Sequence, residues 1–369
     1  QFNQALVAVN KVNAVGRYFA LAGDISPFTI QLIFLAGAKP QIYGKALAGF
    51  VKAMFDPEFL PKYLAKNADI IAQSPGLILS RGGATEFTEA MARGGLLRTK
   101  PLMILGKPLE PFMRGFEAAL DVAGVEMKKA FRHLTTDAAK TAEVDAFINE
   151  FRGLANTARI GVPLAQRQLE TVTLLAPKYN RAIAALLFDA IRGMAGGGGL
   201  RGQLAMDSLA KGIGAIAAMT VAISYARGES FEEIAEHLNP NSPKFMTWDV
   251  AGQNIGPGSK VRSLLKLFGD ITRDPADLIK FTMENPGLRF IRGNLAPTIR
   301  TGIDLLSGEN YIGDPTREGL LDVTETIVFE NMLPIWTQTV LLEGGDIGQR
   351  VMRGAAEFAG MRGYPFTAA

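Results

Sequence analysis

TLLAPKYNRAIAALLFDAIRGMAGGGGLRGQLAMDSLAKGIGAIAAMTVAISYAR, residues 173–227, decides the fold. A turn at Ala176-Pro177 starts a helix that runs to about Ile191, proline being at home in a helix's first turn. Gly196 to Gly199 break it. A second helix begins near Leu200 and is almost wholly apolar from Gly212 to Ala226. The spacing therefore predicts a helical hairpin with a glycine hinge. Between Lys211 and Arg227 lie 15 uncharged residues, short of the roughly 18 that mark a membrane span. Length favours a buried central helix. The alternative is a helix that enters a bilayer or lines a conduit, presenting Ile213, Ile216, Met219, Val221 and Ile223 to lipid or to a partner.

Outward from the hairpin, glycine and proline divide the chain into many short helices. Residues 1–155 read as an N-terminal helical region with a loop-rich insert at 76–110, and residues 156–237 as the hairpin region. Residues 238–369 read as a C-terminal helical region with a short β-ribbon near 245–256. Val144, Phe147, Ile148 and Phe151 mark the apolar face of one N-terminal helix at the 3.6-residue period. Trp248 and Asp249 lie in the Pro/Gly/Asn-rich stretch 239–259, the best place for a hairpin of strands. The expected class is mainly α.

The totals exclude several chemistries. The chain has 369 residues, enough for two or three domains. It begins at Gln1 rather than Met, so it is expected to be part of something longer, and no signal peptide is visible. There is no cysteine, which removes disulfides, thiolate metal sites and a cysteine nucleophile. The two histidines, His133 and His237, are far apart and precede helix ends, where capping explains them. Net charge is +3, from 39 basic and 36 acidic residues, so the pI near 9.0 does not by itself indicate nucleic acid.

No catalytic constellation stands out. Gly196–Gly199 lacks the following Gly-Lys-Ser/Thr of a phosphate loop. Glu86 and Glu89 share a face of a short helix, and with Asp69 and Glu110 they read as solvated acids rather than as a glycan-cleaving pair. Ser26 has no base nearby. No cofactor, no metal and no enzymatic activity are expected. Basic residues do recur: Lys260, Arg262 and Lys266 on one helix, then Arg289, Arg292 and Arg300 around Asn294–Pro297. Scattered cations of this kind can contact phosphates without reading sequence, so these six are the candidate DNA-facing set.

Five segments, in order, carry a resemblance to one known family. GDISPFTIQLIFLAGAKPQIY at 23–43 places Asp24, Ser26 and Gln31 where that family has them. LLAPKYNRA at 174–182 resembles the family's APR turn, with Lys178 for its arginine. Leu200-Arg201-Gly202 precedes an apolar helix, as in the family. LNPNSPKFMTWDVAGQNIGPGS at 238–259 resembles a conserved ribbon, though the usual Lys-Ile and internal Arg are replaced. FIRGNLAPTIRTGIDLLSGENYIGDP at 290–315 is similar to the family's final motif. The family these segments resemble is the late C-terminal region of phage large polyvalent proteins, and the resemblance runs from residue 17 to about 345. It implies an internal virion or DNA-ejection protein of a tailed phage, a homo-oligomer near the portal–tail channel. Its implied partners are portal, tail or core proteins, the viral DNA backbone and the host membrane. It implies residence in the virion, then in the host cell envelope on infection. A membrane-active module built on the 212–226 helix is the rival reading.

Overall fold

The computed structural model describes the chain except for residues 1, 22, 24, 81–99, 101–103, 105, 156–160, 251, 259, 281–284, 309–315, 317–318, 320–322, 325, 327–332, 342–344 and 366–369. The expected short helix at 85–92, with Glu86 and Glu89, lies outside the described residues. The mainly α class is what the structure shows: sixteen α-helices and one three-stranded antiparallel sheet are described.

In chain order the helices are α1 (Phe2–Leu21), α2 (Ser26–Ala38), α3 (Pro40–Phe55), α4 (Phe59–Lys66), α5 (Ala68–Ala72), α6 (Glu110–Ala130) and α7 (Ala138–Phe151). Next come α8 (Leu164–Thr173), α9 (Pro177–Met194), α10 (Gly199–Ala226) and α11 (Phe231–Leu238). Strands β1 (Trp248–Val250) and β2 (Gln253–Pro257) follow. Then come α12 (Lys260–Arg273), α13 (Pro286–Arg292), α14 (Pro297–Ser307), α15 (Ile335–Leu341), α16 (Ile347–Phe358) and β3 (Met361–Pro365). The contacts gather these into two compact units that do not follow the three sequential regions. One holds 1–30, 169–175 and 216–369; the other holds 31–168 and 176–215.

The second unit is built on α3 and α6. Ile42, Ala46, Phe50 and Ala53 of α3 are buried, and α6 is buried along most of its length. The two backbones come close because small residues face each other: a Cβ on Gly115 would stand 2.9 Å from the Phe50 carbonyl oxygen. Leu60, Leu64 and Ile70 from α4 and α5 close the same core over Ala118 and Val125.

Residues 76–80 form no helix or strand, so their backbone polar groups need partners from elsewhere. Side chains of α6 and α7 supply them. Asp145 accepts from Gly76 N at 3.0 Å, Asn149 accepts from Ile78 N at 2.9 Å, and Asp121 accepts from Ser80 N at 2.8 Å. Arg152, fully buried, donates to the carbonyls of Leu120 (2.7 Å) and Ile78 (2.8 Å). Burial pushes its guanidinium down to about 10, against the pull of Asp121 and Asp145, so it remains charged at neutral pH.

In the first unit, Asn13 of α1 donates to the Val172 carbonyl at 2.9 Å and accepts from Thr298 N. Arg17 donates to the carbonyls of Thr171 and Leu174. A short antiparallel bridge joins Leu174 to Leu295. The expected ribbon is present as β1 and β2, paired from Trp248–Ile255 to Val250–Gln253 around a turn in which Asp249 accepts from Gly252 N. Strand β3, in what reads from sequence as an irregular tail, was not expected; it pairs along β2 from Gln253–Pro365 to Pro257–Met361. Gly256 sits where a Cβ would lie 2.0 Å from the Met246 carbonyl oxygen, so no other residue fits there.

Candidate functional site

The hairpin forms as the sequence predicts. Pro177 opens α9, which continues to Met194. Gly196, Gly198 and Gly199 take positive φ (75°, 82° and 59°), the left-handed region that glycine enters without steric cost, and the chain reverses into α10. The helices then touch nearly backbone to backbone, since a Cβ on Gly193 would lie 2.3 Å from the Gly202 carbonyl oxygen.

The first turn of α10 is held by acids from its neighbours. Glu143 of α7 accepts from Arg201 N at 3.0 Å, meeting one of the amide groups that a helix start leaves unsatisfied. The Arg201 side chain pairs with Glu150 of α7 and, at 2.5 Å, with Asp189 of α9. Burial raises the Glu150 carboxyl to about 7. The Asp189 charge adds to this, and Arg201 works against it.

Beyond that clasp, α10 departs from the expected buried central helix. It is 28 residues long, and its most apolar 18-residue window has a mean hydropathy of 1.5 yet is only 28% buried. The inner stripe is narrow and partly polar: Leu204, Ser208, Gly212, Ile216, Thr220 and Ser224. Thr220 satisfies its hydroxyl on the Ile216 carbonyl at 2.9 Å. The outer side carries Ala210, Gly214, Ala218, Ala222 and Ala226, all exposed at every fourth position, with Met219, Val221 and Tyr225 beside them. The helix has more apolar residues than inner positions, and hydroxyls already occupy some of those positions. Of the five residues read as a lipid or partner face, Met219 (40% exposed) and Val221 (39%) are on it. Ile213 and Ile223 are half-buried, and Ile216 (7%) belongs to the inner stripe instead.

The six candidate DNA-facing cations do not form a free basic stripe. Arg262 is buried and donates to the Phe245 carbonyl at 2.7 Å. Arg292 pairs with Asp304, which is wholly buried, and Arg300 reaches the same carboxylate at 3.6 Å. Asp270 accepts both Lys266 (2.7 Å) and Arg289 (3.2 Å). Lys260 lies on the Asn294 side chain and over the Phe290 ring at 5.3 Å; burial lowers it to about 8, with Arg362 adding like-charge repulsion. Burial withdraws Arg262 and Arg292 from any phosphate-facing role in this fold. Arg289 and Arg300 keep side chains about two-fifths exposed.

Other singled-out residues have structural places. His237 is buried, its Nε2 3.0 Å from Glu229 and its Nδ1 3.1 Å from the Lys244 carbonyl, so it fixes the turn after α11. His133 is exposed in a 3-10 turn after α6. Among the described residues, no three His, Asp or Glu side chains converge as a metal site would require. The buried polar set of Asp121, Asp145, Asn149 and Arg152 was not anticipated from the sequence. Its signal is the i, i+4, i+7 spacing of Asp145, Asn149 and Arg152 on the face that also buries Ile148. No family model, no curated protein and no solved structure matches the chain.

Proposed function

We propose that the chain is a structural, non-enzymatic component of a tailed-phage genome-delivery apparatus, and that α10 is the element through which it engages the host inner membrane. The observation that carries this is the outward apolar face of α10. At 1.5 Å per residue its 28 residues extend about 42 Å, more than the roughly 30 Å of a bilayer's hydrocarbon core. The uncharged run 212–226 covers about 22 Å of that, and Lys211 and Arg227 bracket it with long side chains that can reach toward headgroups. A core helix of a soluble protein passes the same length test but is mostly buried, and this one is not. The phage setting rests on the five ordered segments that resemble the large polyvalent proteins.

Flotation of the full chain with anionic lipid vesicles tests the membrane reading. The wild-type chain is expected to float, and Met219→Asp combined with Val221→Asp to stay behind. Each mid-helix charge costs about 2.5–3.5 kcal/mol on insertion scales, and both positions are exposed enough to spare the fold. Flotation unchanged by the double substitution would sink this reading.

One feature favours a second reading, a contact with another copy of the chain. The row Ala210, Gly214, Ala218, Ala222, Ala226 has the small-residue spacing that lets helix backbones approach closely. Ala218→Leu separates the two: a lipid-facing helix accepts the larger side chain, and a helix–helix contact does not. Loss of oligomer with flotation retained selects self-association through this row.

A further inference from the structure

A cleft of about 250 Å³ opens in the second unit between α5, the end of α6 and the start of α7, lined by Ile70, Gln73, Lys128, Arg132, Thr135 and Thr141. This lining contains two cations and no acid. Lys128 is 4% exposed, and a buried ammonium is costly unless its N–H groups are met. It has three such groups, and Asp145, at 2.6 Å, is its hydrogen-bond acceptor among the described residues. Asp145 also accepts from Gly76 N through its other oxygen, so its charge is shared with the backbone behind the cleft. Arg132 is exposed at the rim, and its guanidinium has no acceptor among the described residues. Thr135 and Thr141 donate their hydroxyls to the carbonyls of Arg132 and Asp137, both at 2.8 Å, which fixes those side chains and leaves oxygen lone pairs at the wall. The Gln73 amide adds a further donor.

We propose that this cleft binds a phosphate group as its dianion, free or as a terminal monoester, with the Lys128 ammonium at the floor and the Arg132 guanidinium closing on it from the rim. Charge-assisted donors of these two kinds, one fixed by burial and one mobile, suit an oxyanion with several acceptor oxygens. A carboxylate offers fewer oxygens to two donors that approach from different sides. An internal phosphodiester, with chain on both sides, fits a recessed ammonium poorly. Ile70 supplies an apolar wall on which a small organic substituent can rest.

Calorimetric titration of the full chain with inorganic phosphate is the first test, repeated with a nucleoside 5′-monophosphate and with an oligonucleotide lacking a terminal phosphate. Saturable one-to-one binding of phosphate, weakened about tenfold or more in Arg132→Ala, supports the site. Tighter binding of the monophosphate than of inorganic phosphate assigns the ligand to the monoester. Binding unchanged in Arg132→Ala, or no saturation by phosphate at tens of millimolar, overturns the proposal. So does an affinity for the oligonucleotide that matches or exceeds that for phosphate. Lys128→Arg is the second variant, because it keeps the charge beside Asp145. It should keep the fold, read by circular dichroism, while shifting phosphate affinity; unchanged affinity there also counts against the floor assignment.

Discussion

Arg201, in the first turn of α10, holds Glu150, in the last turn of α7, in a pair whose carboxyl keeps its proton up to about pH 7. The folded state thus binds a proton that the unfolded chain has already released above its ordinary value near 4.5. Stability should therefore fall as pH rises from about 4.5 to about 7 and level off above, by a total on the order of 3 kcal/mol. Glu126 acts oppositely and elsewhere. Burial opposes its ionisation, but Lys129, Lys45 and Tyr63 outweigh that and hold it at about 2, so its contribution is full above about pH 4.5 and is lost as pH falls toward about 2. Urea midpoints at about pH 5 and about pH 8 check this, with Glu150→Gln expected to flatten the difference. Equal midpoints in the wild-type chain would refute it.

Two glycines two residues apart in α10 should respond to alanine in opposite directions. A Cβ on Gly214 meets nothing within 4 Å, so Gly214→Ala should stabilise by about 1 kcal/mol through helix propensity alone. A Cβ on Gly212 would lie 2.6 Å from Phe34 Cδ1 and 3.0 Å from Phe34 Cα, and the backbone atom cannot yield cheaply. Gly212→Ala should destabilise by roughly 1–3 kcal/mol. Thermal melts of the two variants side by side decide it. Shifts of the same sign would mean that α2 and α10 are not packed as described.

Arg152→Met should cost about 3–5 kcal/mol, measured as a lower urea midpoint with an unchanged slope. The loss comes from what remains behind. The carbonyls of Leu120 and Ile78 lose their donor, and the buried carboxylate of Asp121 loses the cation 3.9 Å away. A shift below about 1 kcal/mol would show that water can take the guanidinium's place.

Arg292→Ala and Arg289→Ala should differ in the same assay. Asp304 is wholly buried and pairs with Arg292, and Arg300 at 3.6 Å would keep part of its charge met, so losing Arg292 is expected to cost about 3 kcal/mol, the low end for a buried pair. Arg289 pairs with Asp270 from a side chain two-fifths exposed, and solvent should limit its effect to about 1 kcal/mol or less. Equal costs would contradict the placement of these two arginines.

The helices were legible because their signals are local. Pro177 at the start of α9, the glycines at 196–199 and the apolar period of α7 each act within one or two turns. The sheet was half legible: β1 and β2 are joined by a turn, whereas β3 pairs with β2 from more distant sequence and carries no alternation of its own. Pairing of charges was not legible, since Asp270 and Asp304 choose their arginines through the packing of α12, α13 and α14. Nor was the outward turn of α10, because hydropathy counts apolar residues without saying which side of the helix finds neighbours.

The discontinuity of the two units has a consequence for biosynthesis. The whole of residues 31–215 apart from 169–175 belongs to the inner unit, which is nested in the sequence of the other. The inner unit can collapse as it leaves the ribosome, on α3 and α6. Helix α1 must wait, since Asn13 needs Thr298, and Ile25 N bonds the Phe358 carbonyl at 3.2 Å. Helix α1, made before the inner unit, is thus ordered after it. Until those partners emerge, the apolar residues Ala14, Tyr18 and Phe19 of α1 remain uncovered, a task for a chaperone.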